Sequence, residues 1–247
     1  MKVTIVGCGD AFGSGGRAHS CFRIDADSGV ALVDFGAGSI VSWKKLGFQF
    51  DVVDAVVISH LHGDHFGGLP FLLFDCQFVR HRTRPLILIG PPGFKKRLDA
   101  ALELFFPGAS KTPWSFPWSA EEIVPGRQNQ CAGFTLQTYD AFHPSGALST
   151  GVRLTGGGGV FAYSGDTAFT PTLFDLSAGA DLFICECSSG DSPTPYHIDW
   201  PTLRANLQGF SAKRMILTHM GDSALARRAE MEQAGLTVAY DGQVFEL

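Results

Sequence analysis

The sequence predicts an α/β fold on three observations. Short apolar runs of strand length recur, and several end in an ionisable residue, as at 54–58 before His60 and at 214–218 before His219. Between them lie stretches with helical spacing, the clearest at 94–105, where Leu98, Ala101, Leu102 and Phe105 share one stripe. Hydrophobic residues make up 45% of the 247 positions and charged residues 17%, which is enough apolar material for a substantial core. With no linker, internal repeat or low-complexity tail, one domain over residues 1–247 is expected.

Composition also excludes classes of function. No run of about 18 apolar residues is present, so no membrane partner is expected. The apolar start at 1–6 is too short for a signal peptide and reads as a first strand. The six cysteines include no Cys-x-x-Cys pair and read as buried thiols in a reducing compartment, so a cytoplasmic location is expected. A net charge of −5 argues against a general nucleic-acid surface. The basic clusters at 80–84 and 95–97 read as solvated charge in preference to phosphate sites.

The elements follow in order. After the first strand, the Gly-rich stretch 7–16 has Phe12 where a dinucleotide fingerprint needs its third glycine, so it reads as a flexible loop, with Arg17 and His19 at its surface. Strands at 21–24 and 30–33 form a meander around turn-forming residues 25–29. Residues 71–79 suit a helix buried on most faces, and 85–90 a strand bounded by breakers. Residues 107–126, with Trp114 and Trp118, read as a long loop between two halves of the chain, its aromatics either lining an entrance or packing over the core. Strands are expected at 134–139, 160–163, 180–185 and 214–218. Asp199 caps a helix to about 208, and Ser223 caps another ending at Gly235. Asp241 and Gly242 are the turn of a hairpin joining 236–240 to 243–247.

The densest chemistry lies just after the run at 54–58, where His60, His62, Asp64 and His65 fall within six residues. Alternation along an extended segment turns His60 and His62 to one side, and Gly63 lets the chain turn so that Asp64 and His65 face a second point close by. Imidazole nitrogen and carboxylate oxygen together suit zinc, and manganese or iron could occupy the same shell.

This stretch resembles the signature of the metallo-β-lactamase superfamily. The resemblance implies an αββα sandwich of two mixed β-sheets flanked by helices, with a dinuclear site at one edge. It also implies further ligands after later strands, and His143, Asp166 and His219 stand in those positions. The implied set is His60, His62 and His143 on one ion and Asp64, His65 and His219 on the other. In that arrangement Asp166 would bridge the two ions, leaving room for a shared hydroxide. Asp34 would brace the histidine loop.

Glu186 after the strand at 180–185 and His197 downstream narrow the likeness to the ribonuclease Z-like phosphodiesterases and their relatives in phosphonate breakdown. In that group the histidine meets the phosphate and the glutamate orients it, so Glu186, His197 and Asp64 are the expected catalytic residues. Cys185 and Cys187 replace the group's usual neighbours of the glutamate.

The resemblance therefore implies a dinuclear-metal hydrolase acting on a small phosphodiester or cyclic phosphate. The arm with which ribonuclease Z grips tRNA lies between the third histidine and the bridging aspartate. Residues 143–166 hold only a hairpin here, so an RNA 3′-processing nuclease would have to work without that grip. A glyoxalase II-like thioester hydrolase would share the same metal ligands, and a non-catalytic metal-dependent binding or sensor protein could keep them without turnover. The sequence leaves monomer and homodimer both open.

Overall fold

The computed structural model describes residues 1–247 as two seven-stranded mixed sheets with helices against them. The first half of the chain supplies β1 (Lys2–Gly7), β2 (Cys21–Ala26), β3 (Gly29–Val33), β4 (Ala55–Val57), β5 (Leu86–Gly90) and β6 (Trp118–Glu122). The second half supplies β7 (Asn129–Cys131), β8 (Phe134–Ala141), β9 (Ser149–Gly156), β10 (Gly159–Tyr163), β11 (Leu182–Glu186), β12 (Met215–Thr218), β13 (Thr237–Val238) and β14 (Val244–Glu246). In space the first sheet runs β14-β1-β2-β3-β4-β5-β6 and the second β13-β12-β11-β10-β9-β8-β7. Each sheet passes from an antiparallel meander into a parallel half, β3 to β6 in the first and β10 to β13 in the second.

Side-chain alternation turns these sheets into layers. Ala31 and Val33 on β3, with Leu182 and Ile184 on β11, join one core between the sheets. Leu32 belongs to a second core with Trp43 and the helices Leu69–Phe74 and Phe94–Phe105. Phe183 and Cys185 belong to a third, with Leu203 and Met231. Phe22 and Tyr163, one from each sheet, meet edge to face at 4.8 Å in the middle layer. All six cysteines are free and buried, and Cys185 and Cys187 pack in the third core. No helix is long and apolar enough to cross a membrane.

Several local expectations need correction. Within 107–126 the chain forms β6, a parallel strand at the edge of its sheet. Its sequence, Trp118 to Glu122, is polar because both glutamates are exposed. Trp114 and Trp118 pack against the core under the first sheet, 5.6 Å apart. The helix Phe94–Phe105 has the expected bounds, but Phe105 is 50% exposed. The helix after the histidine loop starts at Leu69 and ends in a π-helical turn, Asp75–Val79, whose Phe78 and Val79 are exposed.

The C-terminal hairpin does not form. Strand β13 pairs with β12 in the second sheet, whereas β14 pairs with β1 in the first, so Asp241 and Gly242 carry the chain across the sandwich. The Asp241 carboxylate accepts from Cys8 N at 3.1 Å and Ala18 N at 2.8 Å, contacts that a two-strand turn would not supply. Gly221, not Ser223, stands at the N-cap before Asp222–Ala226, and a second short helix, Arg228–Gln233, follows.

The cluster at 80–84 is only partly solvated. The Arg82 guanidinium is buried and donates to the carbonyls of Phe50 at 2.6 Å and Val53 at 2.7 Å, pinning this turn to the chain before β4.

Candidate metal centre

The site lies where strands of both sheets end. After β4 the chain reaches Ser59, whose carbonyl accepts from Thr150 N at 3.0 Å and Thr150 Oγ1 at 2.9 Å, tying this loop of the first sheet to β9 of the second. His62 precedes the single turn Gly63–Phe66, which carries Asp64 and His65. Gly36 lets the chain after β3 touch this turn, since a Cβ there would stand 2.0 Å from the Asp64 carbonyl. From the second sheet, His143 follows β8, Asp166 follows β10 and His219 follows β12. His219 N donates to Cys8 O at 3.0 Å, closing the edge.

These loops converge on two buried clusters. One contains His60, His62, His143 and Asp166, the other Asp64, His65, His219 and again Asp166, and within each the donor atoms lie within 4.8 Å of one another. Asp166 Oδ1 is 3.3 Å from His65 Nε2, and Oδ2 is 3.3 Å from His219 Nε2, 3.7 Å from His60 Nε2 and 3.9 Å from His143 Nε2. With bonds of about 2.0–2.2 Å, two ligands of a tetrahedral ion stand roughly 3.3–3.6 Å apart. His60 Nε2, His65 Nε2 and Asp166 Oδ1 are buried with no hydrogen-bond partner, a costly state for a polar atom unless a cation satisfies it. The residues fit a dinuclear metal site.

Titration behaviour follows the same division. Burial holds His60, His62 and His143 below the usual histidine range, which favours the neutral, metal-binding form. Burial also opposes charge on His219 and His65. Asp166 and Asp64 override it, pushing His219 up to about 9 and His65 well above its usual value. Despite burial, the surrounding imidazoles keep Asp64 and Asp166 far below the ordinary carboxylate range. Without ions, protonated His65 and His219 balance these two carboxylates, and a pair of cations would take the place of those protons.

Two buried carboxylates support this arrangement from outside. Asp34 Oδ2 is 2.7 Å from His65 Nδ1 and accepts from Ser59 Oγ at 2.8 Å. Glu186 Oε1 accepts from Thr167 N at 2.7 Å and stands 2.9 Å from His197 Nδ1, while Oε2 accepts from Ile198 N at 3.2 Å. Burial works against protonation of His197, but the Glu186 carboxylate prevails and raises its pKa. The His197 ring lies 4.7 Å from that of His143 and stacks 5.5 Å from that of His219, so it borders both clusters.

The chain thus brings together His60, His62, Asp64, His65, His143, Asp166 and His219, with Asp34, Glu186 and His197 beside them. His19 is neither in the clusters nor a free surface group, since its Nδ1 accepts from Gly38 N at 2.9 Å. Sequence reasoning missed Ser59 and Thr167, although each adjoins a site residue. It also missed the Tyr196 carbonyl, which stands 3.0 Å from His143 Nδ1 and has no sequence signal.

The sequence profile of a family described as Anti-Pycsar protein Apyc1 matches residues 1–245. The chain belongs to the Apyc1 family. This Apyc1-family chain is similar to YhfI of Bacillus subtilis, a probable metallo-hydrolase. The two are 26% identical over 227 residues, covering 89% of this chain and 87% of that one. A crystal structure of YhfI superposes with a TM-score of 0.79 at 23% identity over 99% of both chains. The short form of human tRNase Z gives 0.77 at 24% identity, covering 100% of this chain and 99% of that one. A diphosphatase of the PhnP family gives 0.76 at 18% identity, covering 100% and 97%. The Apyc1-family chain therefore has the metallo-β-lactamase fold of the ribonuclease Z, YhfI and PhnP group. With its buried His/Asp site, it has the make-up of a metallo-hydrolase.

Proposed function

We propose that this chain is a dinuclear-metal phosphodiesterase that opens a small cyclic nucleotide. The observation that carries the reading is His197, held by buried Glu186 against both ligand clusters. The family name points the same way, because Apyc1 suggests a cyclic nucleotide phosphodiesterase. In this reading residues 1–247 form one domain acting in the cytoplasm.

His60, His62 and His143 would hold one ion and Asp64, His65 and His219 the other, with Asp166 shared. The nitrogen-rich donor set favours zinc ahead of manganese or iron. When bound, the two cations supply an activated water and neutralise charge on the phosphoryl oxygens.

The chain's own residues supply orientation and a proton. Asp34 accepts a hydrogen bond from His65 Nδ1–H, leaving Nε2 as its donor atom toward the ion. Glu186 likewise accepts a hydrogen bond from His197 Nδ1–H, so Nε2 carries the transferable proton. As water forms the new P–O bond and the ribose oxygen departs, that proton neutralises the departing alkoxide.

The net charge of −5, with only the β9–β10 hairpin between His143 and Asp166, supports a small substrate over tRNA. The metal-loaded protein should be offered a cyclic nucleotide, a linear phosphodiester, an RNA with a 3′ trailer, a thioester and a β-lactam. Cyclic nucleotide turnover should dominate and depend on His197. Preferred turnover of the RNA or the thioester would overturn the reading.

A further inference from the structure

Two large aromatic side chains at this site are left in water. Phe142 is 61% exposed and Tyr196 is 46% exposed, and neither packs into any of the three cores. Their rings lie 5.7 Å apart at 57°. Phe142 immediately precedes His143, Tyr196 immediately precedes His197, and the Tyr196 carbonyl stands 3.0 Å from His143 Nδ1. The aromatic pair therefore sits at the edge of the hydrolytic site.

The backbone beneath these rings is held in place. Phe142 N donates to Thr167 Oγ1 at 2.9 Å, and Ala168 N donates to Phe142 O at 3.0 Å. Thr167 is also the residue whose N–H holds Glu186. Tyr196 has φ 65, the left-handed region that bulky residues rarely occupy, while the next residue donates from His197 N to Thr194 O at 3.1 Å. A conformation of this kind is retained where the surroundings impose it, and here it presents a ring outward beside the catalytic histidine.

We infer that Phe142 and Tyr196 form a stacking platform for the base of the nucleotide whose phosphate enters the metal centre. This deepens the phosphodiesterase reading and rests on it. Every nucleobase offers a flat π-face, and stacking on aromatic rings tolerates base identity. The platform therefore selects nucleotides over base-free sugar phosphates while discriminating weakly among bases.

The test uses metal-loaded full-length protein with Phe142→Ala, Tyr196→Ala, the double variant, and Tyr196→Trp, which keeps a ring. Turnover is compared between a 3′,5′-cyclic nucleotide and methyl riboside 3′,5′-cyclic phosphate, which lacks a base. Binding is compared by calorimetry between a nucleoside 5′-monophosphate and ribose 5-phosphate. The double variant should raise KM for the nucleotide roughly 5-fold to 100-fold, with kcat little changed. It should also narrow the preference over the base-free compound by the same factor, and Tyr196→Trp should retain the preference.

Parallel losses on both compounds, or an unchanged preference, would overturn the platform. A double variant that dissociates in sedimentation with its preference intact would make the pair a subunit contact instead. If the wild type cleaves no cyclic phosphodiester, the phosphodiesterase reading fails by itself. The monophosphate comparison then decides the platform alone, and equal affinity in wild type and double variant would reject it.

Discussion

Asp34 Oδ2 lies 2.7 Å from His65 Nδ1, and the same carboxylate accepts from Ser59 N at 2.7 Å and Ser59 Oγ at 2.8 Å. Ser59 Oγ is in turn 3.1 Å from His60 Nδ1, so one buried carboxylate aligns a histidine in each cluster. It does so from φ 58, a conformation that aspartate tolerates better than most residues. Asp34→Ala should therefore weaken metal retention by about 10-fold to 100-fold, read by competition with a chelator. Unchanged affinity would show that the ligand loop is aligned without it.

Asp166→Ala removes the one residue common to both clusters. Turnover should be abolished, the metal content should fall below two ions per chain, and excess zinc should not restore activity. Recovery to the wild-type rate would show that the shared carboxylate is dispensable.

Chelation should destabilise the protein, because it leaves Asp166 Oδ1, His60 Nε2 and His65 Nε2 buried without partners. Metal at 100 times its Kd contributes about 2.7 kcal/mol. In a chain of this size that corresponds to a fall in Tm of roughly 5–10 °C on removal. Scanning calorimetry before and after chelation checks it, and an unchanged Tm would argue against resident ions.

His197→Ala should leave metal content intact and cut turnover of a phosphodiester with an alkoxide leaving group by about 10²-fold to 10⁴-fold, with a smaller loss for a nitrophenolate leaving group. The pH profile gives a second readout. Glu186 raises the His197 pKa, so the acid form persists above the ordinary histidine value, and activity falls as pH rises through that raised pKa. Glu186→Gln removes the charge that holds the proton and should move this fall to lower pH. A profile unmoved by the substitution would take the pair out of proton transfer.

Asp241→Ala tests the crossing between the sheets. Loss of its carboxylate leaves the N–H groups of Cys8 and Ala18 unpaired, at a cost of about 1–3 kcal/mol. Urea unfolding should register this without a change in metal content. A loss below about 0.5 kcal/mol would mean that water replaces the carboxylate.

The convergence of these His and Asp side chains on one edge was legible in the sequence because its signals are local. His60, His62, Asp64 and His65 are crowded into six residues, His143, Asp166 and His219 each follow a recognisable strand, and Glu186 ends one, so that strand ends aim these side chains at a common edge. The helix Phe94–Phe105 was legible for the same reason, since its period is written in consecutive residues. Only the tertiary structure decided which strands pair. Thr237 and Val238 join the second sheet and Val244 to Glu246 the first, although the turn between them has the composition of a hairpin, because Asp241 finds donors at Cys8 and Ala18 more than 200 residues away. Tertiary contacts likewise bury Arg82 against carbonyls of the chain before β4, draw the polar residues of β6 into an edge strand, and leave Phe142 and Tyr196 in water beside the histidines. Periodicity and ligand spacing are properties of neighbouring residues. Strand partnership, burial of charge and exposure of aromatics depend on which distant groups satisfy each backbone donor and cover each side chain.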